Sequence, residues 1–374
     1  MPTEAPMKLK PGDDVYRQLQ EHLDTLPVPF PATKSGVEIS LLKRIFTPEE
    51  AKIASKLTFA WDEYESLDSI YERLKNLGYS KARLEKLLDS MTKKGGLMAH
   101  VEGSKKSYSN AMLIYGMFEL QINKLTPGFV QDMIQYFKDG WAQANSQIPI
   151  PQMRVVPLGV SIEQKTAVFT YDDIKTIIAT AKEPFSLANC VCRQAKDVLG
   201  KPCKNTPRRE VCIAWDAGAK LYIKLGWGRE ISRAEVLATL KQNEEEGMII
   251  QASNAQRPDF ICSCCTCCDM TLRFLKRTPM PATLVASNYF AKSNSDTCTR
   301  CGTCIDRCQM EAITLQDDKA FVDANRCIGC GNCVKTCPSE AMHLEKKAFE
   351  TSPPPTMAKL YEQIASTRGE SKSQ

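Results

Sequence analysis

Cys298-Thr299-Arg300-Cys301-Gly302-Thr303-Cys304-Ile305-Asp306-Arg307-Cys308 and, further on, Cys327-Ile328-Gly329-Cys330-Gly331-Asn332-Cys333-Val334-Lys335-Thr336-Cys337 repeat one pattern, C-x2-C-x2-C-x3-C. Thiolates at that spacing wrap a short loop around a cubane iron–sulfur cluster. Three closely spaced thiolates cover one face of the cube, and the fourth comes from the other half of the repeat. Cys298, Cys301, Cys304 and Cys337 are therefore assigned to one [4Fe–4S] cluster. Cys327, Cys330, Cys333 and Cys308 are assigned to a second. Gly302 and Gly331 hold the same place in both copies, where a tight loop calls for a residue without a Cβ. Zinc is the plainer alternative, but it usually takes two C-x2-C pairs separated by a longer spacer. Four cysteines packed this closely, twice over, do not suit it.

After the fourth cysteine the copies read Gln309-Met310-Glu311-Ala312-Ile313 and Pro338-Ser339-Glu340-Ala341-Met342, each expected to make a helical turn and then a short strand. On these residues, 290–347 resembles the bacterial-type two-cluster ferredoxin domain. The resemblance implies a ferredoxin-like fold and single-electron transfer with redox protein partners. Gln309 stands where that family usually has proline; it is not a ligand, so the assignment is unaffected.

The chain has 374 residues, enough for two or three domains. Its net charge of +5 is too small to argue for nucleic acid by itself. No run of about 18 apolar residues occurs, so no membrane span is expected. The first residues, MPTEAPMKLKPGDD, lack an apolar signal core. All 17 cysteines fall between 190 and 337, unlike a disulfide scaffold. Metal ligands in a reduced cytoplasm, in an anaerobic or microaerobic setting, are the expectation. Three histidines, His22, His100 and His343, exclude multi-histidine chemistry. Neither a phosphate-binding loop nor a dinucleotide fingerprint is present, so nucleotide or flavin chemistry falls to a partner.

Residues 1–31 read as a flexible arm, and 32–150 as a winged-helix-like domain followed by a helical region. Thr47-Pro48-Glu49-Glu50 is a helix start with a capping box. Leu67, Ile70, Tyr71 and Leu74 mark a second helix, and Leu84, Leu87, Leu88 and Met91 a third. Residues 95–108 read as a β-hairpin. If the domain binds DNA, Lys81, Arg83, Lys86 and Lys93 enter the major groove while Lys105 and Lys106 touch phosphate. The alternative is a solvated face and protein contacts. The weak excess of 14 Lys/Arg over 11 Asp/Glu in 34–110 favours that alternative.

The middle domain, 151–289, is expected to be cysteine-rich and α/β, with a strand over 155–162 and a helix opening at Thr170-Tyr171-Asp172-Asp173. Cys190, Cys192, Cys203 and Cys212 can converge on one metal, among Lys196, Lys201, Lys204, Arg208 and Arg209. Cys262, Cys264, Cys265, Cys267 and Cys268 are too dense to leave unbound, since exposed thiols oxidise. These nine are candidate ligands of one or two further centres, iron–sulfur in preference to zinc, either as a cluster held by three or four of the second group or by sharing, in which some of them complete a site begun at Cys190 and Cys192. Residues 348–374 read as a tail with a short helix through Met357, Leu360, Tyr361 and Ile364, ending in a disordered stretch from 368.

The motifs Cys190-Val191-Cys192-Arg193 and Ile261-Cys262-Ser263-Cys264-Cys265, with the eight ferredoxin cysteines, resemble a group of anaerobe iron–sulfur proteins. Those join a winged-helix-like part to a dicluster ferredoxin. The fold class is thus α+β multidomain. The main functional expectation is an iron–sulfur electron carrier within a larger redox system. An oxidoreductase with its active centre at the middle cysteines, and a redox-responsive DNA-binding regulator, stand as alternatives.

Overall fold

The computed structural model of the chain describes residues 14–61, 63–157, 170–317 and 319–371. Its contacts fall into two compact units: residues to Ile148 with 198–200 and the stretch from Tyr361, and residues 149–197 with 201–360.

The first unit opens with helices α1 (Asp14–Leu23), α2 (Val37–Ile45) and α3 (Pro48–Ala54). The arm expected over 1–31 is corrected from Asp14 onward; residues 1–13 lie outside the described residues. Leu19, Leu23, Val28 and Phe30 are buried. The proline-rich 27–31 segment has carbonyls but few N–H groups, so it cannot pair with itself. Side chains satisfy it instead: Trp141 Nε1 donates to Pro29 O (2.9 Å), Tyr136 Oη to Pro31 O (2.8 Å) and Gln20 Nε2 to Phe30 O (2.7 Å).

Next come β1 (Glu65–Ser66), α4 (Leu67–Leu74), α5 (Lys81–Lys94), β2 (Leu97–Glu102) and β3 (Lys105–Asn110), the strands ordered β1-β3-β2. Ser80 caps α5, and left-handed Gly95 ends it. Helices α6 (Pro127–Tyr136) and α7 (Ala142–Ser146) flank a break at Gly140. The region 111–150 is therefore less helical than its apolar spacing suggests.

The second unit is built on a six-stranded sheet of β4 (Met153–Val155), β5 (Phe185–Asn189), β6 (Glu210–Trp215), β7 (Gly228–Ile231), β8 (Ile249–Ser253) and β9 (Phe260–Cys264). The order is β4-β8-β9-β6-β5-β7, and every neighbouring pair is antiparallel. This corrects the expected α/β middle domain, since that class rests on parallel strands and crossover helices. Of the strand expected at 155–162, Val155 ends β4, and 158–162 lie outside the described residues. Asp173 caps α8 (Ile174–Thr180) after a 3-10 turn over Thr170–Asp172. Helix α9 (Val191–Val198) follows β5, α10 (Asp216–Lys224) follows β6, and α11 (Arg233–Glu245) precedes β8.

Strand alternation divides the sheet's residues between its two faces. Leu187, Ile213, Ile250 and Ile261 point into one apolar core with Ile177 and Ile178 of α8 and Val236 and Leu240 of α11. Ladder partners share a face, and Ile213 faces Ile261, so Cys212 and Cys262 fall together on the opposite side. Cys264, two residues beyond Cys262, joins them, paired across the ladder with Ile249.

After α12 (Met270–Arg277) the chain enters β10 (Tyr289–Ser293), α13 (Thr303–Arg307), β11 (Ile313–Gln316), β12 (Lys319–Val322), α14 (Asn332–Lys335) and β13 (Met342–Lys346). Strand β10 pairs with β13, and β11 with β12. Three positions with positive φ recur at matching places in the two copies: Arg300 with Gly329, Gly302 with Gly331, and Glu311 with Glu340. Gly302 and Gly331 each open a helical turn from the left-handed region. That places the turn before the fourth cysteine, not after it as expected. Helix α15 (Met357–Ser371) buries Leu360, Tyr361 and Ile364. Of the stretch expected to be disordered from 368, the helix continues to Ser371 and 372–374 lie outside the described residues; Arg368 donates to Asp24 O (3.0 Å) and pairs with its carboxylate (3.4 Å).

Glu50 completes the expected capping box, accepting from Thr47 N–H (2.8 Å) while Thr47 Oγ1 accepts from Glu50 N–H. Its carboxylate is 2% exposed and also meets Lys94 Nζ (2.7 Å) and Ser90 Oγ (2.9 Å). Burial raises this carboxyl, but Lys94, Thr47 N–H and Ser90 outweigh it and hold it below the ordinary value. A depressed folded pKa gives stability that is present at neutral pH and lost as pH falls through that value. Lys94→Met is expected to cost roughly 1.5–3 kcal/mol at pH 7, because it strips a buried carboxylate of its charged donor. Denaturant unfolding should show that cost shrinking at acid pH.

Candidate metal centres

Eight cysteines of the C-terminal repeat line two hollows. Cys298, Cys301, Cys304 and Cys337 surround one of ≈ 330 Å³. Cys308, Cys327, Cys330 and Cys333 surround another of ≈ 380 Å³. Each hollow takes three thiols from one copy of the motif and one from the other. The donors fit a [4Fe–4S] group: four sulfurs around a space enclosed by Ala291, Met310, Ile313 and Ile328 in one case, and by Leu315, Ala320 and Met342 in the other. Ala291 N–H donates to Cys327 Sγ (3.2 Å), and Ala312 N–H to Cys308 Sγ (3.3 Å). Such bonds favour the thiolate and tune a cluster's potential.

The two hollows differ in exposure. Cys301 is exposed, and the hydroxyl and N–H of Thr303 lower its pKa. Burial instead pushes the Cys330 thiol up to about 12 and raises Cys327 and Cys333. Thiolates there need a cationic partner, which bound iron supplies. Ile249, on the cysteine-bearing face of the β8–β9 ladder, also lines this inner hollow.

The nine middle cysteines do not divide at the sequence gap between Cys212 and Cys262. Cys203 leaves its neighbours and joins Cys265, Cys267 and Cys268, all four sulfurs lying within 4.8 Å of one another. Separations are 3.6 Å for Cys203–Cys265, 3.8 Å for Cys203–Cys267, 3.0 Å for Cys265–Cys267 and 3.5 Å for Cys267–Cys268. A tetrahedral ion with metal–sulfur arms of about 2.3 Å sets its sulfurs roughly 3.8 Å apart. These four therefore suit a single ion better than the cube expected from the sequence. Cys265 is the thiol held low by its neighbours Cys264, Cys267 and Cys268, while Cys268 is pushed up. Asp269 caps α12 through Leu272 N–H (2.7 Å), and burial raises its carboxyl to about 6.

The remaining five gather about Cys190, whose sulfur lies 3.9 Å from that of Cys264. Cys192, Cys212 and Cys264 hold Cys190 well below the ordinary thiol range. Cys212 also contacts Cys262. Of the five neighbouring basic residues expected to supply a cationic field, two are exposed and two are held in ion pairs. Lys201 and Lys204 are exposed, Arg209 pairs with Asp197 (2.5 Å), and Arg208 pairs with Glu246 (3.1 Å). Arg193, passed over for this role in the sequence, lies fully buried beside Cys192.

Gln309 was also passed over. Its Oε1 accepts from Thr266 N–H (2.7 Å), between Cys265 and Cys267, and its Nε2 donates to Gly247 O. A proline at that position could make neither bond. The departure from the ferredoxin pattern was the available signal, and it was read only as a non-ligand.

A family model described as a 4Fe-4S dicluster domain matches residues 297–348. It begins after β10, whose pairing with β13 extends the folded domain back to Tyr289. No curated protein and no solved structure matches the chain. The C-terminal region is a ferredoxin-type domain, and the cysteine content points to iron–sulfur electron transfer.

Cys337→Ser is expected to lower iron by about four atoms per chain and to abolish the signal of the exposed cluster, although Cys337 belongs to the second motif. Iron analysis with low-temperature EPR checks this. Loss of the buried cluster's signal instead would reverse the crossover.

Proposed function

We propose that the protein relays single electrons through two [4Fe–4S] clusters, held by Cys298, Cys301, Cys304 and Cys337 and by Cys327, Cys330, Cys333 and Cys308, to a metal ion at Cys203, Cys265, Cys267 and Cys268. When bound, the clusters supply one-electron oxidation and reduction. The observation that carries this reading is the Gln309 side chain. It runs from the residue after Cys308 to the Cys265-Thr266-Cys267 turn. Charge leaving the inner hollow then crosses a hydrogen-bonded side chain rather than solvent.

The exposed hollow is the entry side. Cys301 is exposed there, and Leu315, which lines it, is 46% exposed. That combination suits a redox protein partner. No described helix is long and apolar enough to cross a membrane.

The order β1-β3-β2, with α3, α4 and α5 around it, supports reading 37–110 as a winged helix that serves protein contacts. Three of its six candidate DNA-contacting residues are paired within the unit, while Lys86, Lys93 and Lys105 are exposed. Lys81 pairs with Asp68, Arg83 with Glu49 (2.7 Å), and Lys106 with both Glu85 and Asp89 (2.7 Å each). Each exposed pair is worth only about 0–1 kcal/mol, so such pairs do not forbid DNA. Together they reduce a footprint that was weak at the outset.

Gln309→Leu should retain the wild-type metal content while slowing electron re-equilibration between the C-terminal clusters and the middle ion after flash reduction. Unchanged kinetics, or a middle site filled only with zinc, would contradict the route. Duplex DNA at about 50 mM salt should be retained no better by wild type than by a Lys81→Gln, Arg83→Gln variant. Salt-steep binding lost in the variant would favour the regulator.

A further inference from the structure

Five cysteines remain once the four-thiol site is set aside, and they have their own place in the fold. Cys212 on β6 and Cys262 and Cys264 on β9 share the sheet face opposite the apolar core. Cys190 follows the last residue of β5, and Cys192 lies in the first turn of α9. Cys190, Cys192 and Cys264 are buried, while Cys212 and Cys262 are half-buried.

Their shape differs from that of the first set. The Cys190 and Cys264 sulfurs lie 3.9 Å apart, and Cys212 and Cys262 flank the paired Ile213 and Ile261 on neighbouring strands, so the five extend along the sheet face. Among the described residues, only the four-thiol set has three or more sulfurs mutually within 4.8 Å. A single tetrahedral ion cannot reach along such a string, and it takes four sulfurs rather than five. A core with several metal atoms can span it.

A buried cation points the same way. Arg193 is 0% exposed. It donates to Arg208 O (3.0 Å) and to Met248 Sδ (2.9 Å), and its Nε has no acceptor. None of these partners is a carboxylate. Guanidinium does not shed its proton in proteins, and an isolated buried charge is costly. Arg193 directly follows Cys192, and its backbone N–H donates to Cys190 O (3.1 Å), so the guanidinium belongs to the segment that carries two of the five thiols.

We propose that Cys190, Cys192, Cys212, Cys262 and Cys264 hold a second, polynuclear iron–sulfur centre, separate from the single-ion site at Cys203, Cys265, Cys267 and Cys268, with the buried Arg193 guanidinium offsetting its charge. This rests on reading the chain as an iron–sulfur protein, but not on the Gln309 route.

The test uses the full chain, produced without oxygen and with ample iron and sulfide, and measures iron and acid-labile sulfide per chain. A single thiolate-bound ion carries no sulfide, so sulfide separates the two middle sites. Wild type should hold about twelve sulfides, eight of them from the C-terminal pair. Cys190→Ser should lose about four sulfides, whereas Cys267→Ser should lose about one metal ion and no sulfide. Cys262→Ser, at the half-buried end of the string, repeats the test if Cys190→Ser does not fold. About eight sulfides in wild type, or no sulfide loss in either string variant, overturns the proposal. Arg193→Gln should move the midpoint potential of the added centre to more negative values, and Arg193→Lys should restore it. An unmoved potential removes Arg193 from the account. Failure of the electron route would leave these sulfide counts as they are.

Discussion

The period-two alternation of β6 and β9 is the constraint on which the second unit turns. Along Val211-Cys212-Ile213 and Ile261-Cys262-Ser263-Cys264, isoleucine points one way and cysteine the other. A register slip of one residue would move sulfur into the apolar core and isoleucine towards the metal side. The ladder is pinned by its apolar face, where Ile213 and Ile261 meet Leu240 and Ile178 at 1% exposure or less. Packing on one face therefore positions chemistry on the other.

The start of β8 lies between the ferredoxin-type domain and the cysteine-bearing face of the sheet. Ile249 lines the inner hollow of the ferredoxin-type domain while its ladder partner Cys264 sits against Cys190. Asn332, in the loop that carries Cys330 and Cys333, donates to Gly247 O (3.1 Å) just before β8. Gln309 donates to that same carbonyl. The ferredoxin-type domain is thus fastened to the sheet beside the segments that carry its inner thiols, by hydrogen bonds rather than by a tether alone.

Legibility in the sequence tracked how local the signal was. The two hollows follow from spacing alone, because a short loop closing on a compact core leaves few alternatives. Capping boxes and hairpins are local as well, and Thr47 with Glu50 formed as read. Spacing could not show which cysteines Cys203 meets, because Cys265 and Cys267 arrive from more than sixty residues away. Proline-rich 27–31 looked like an arm because its hydrogen-bond donors, Tyr136 and Trp141, lie over a hundred residues distant. Arg193 was legible as part of a motif, but not as a buried charge whose hydrogen-bond partners are a carbonyl and a thioether. The α/β expectation failed for a related reason. Helices alternating with strands look alike in sequence whether the strands return parallel or antiparallel.

The central claim is that two cubane clusters lie side by side, each gripped by one thiol from the opposite half of the repeat. Low-temperature EPR of the fully reduced, anaerobic protein tests it most directly. Two neighbouring paramagnetic clusters should give a broadened, interacting spectrum that simplifies when either cluster is removed. Two independent spectra without interaction, or a silent sample carrying zinc at the C-terminal cysteines, would contradict the account.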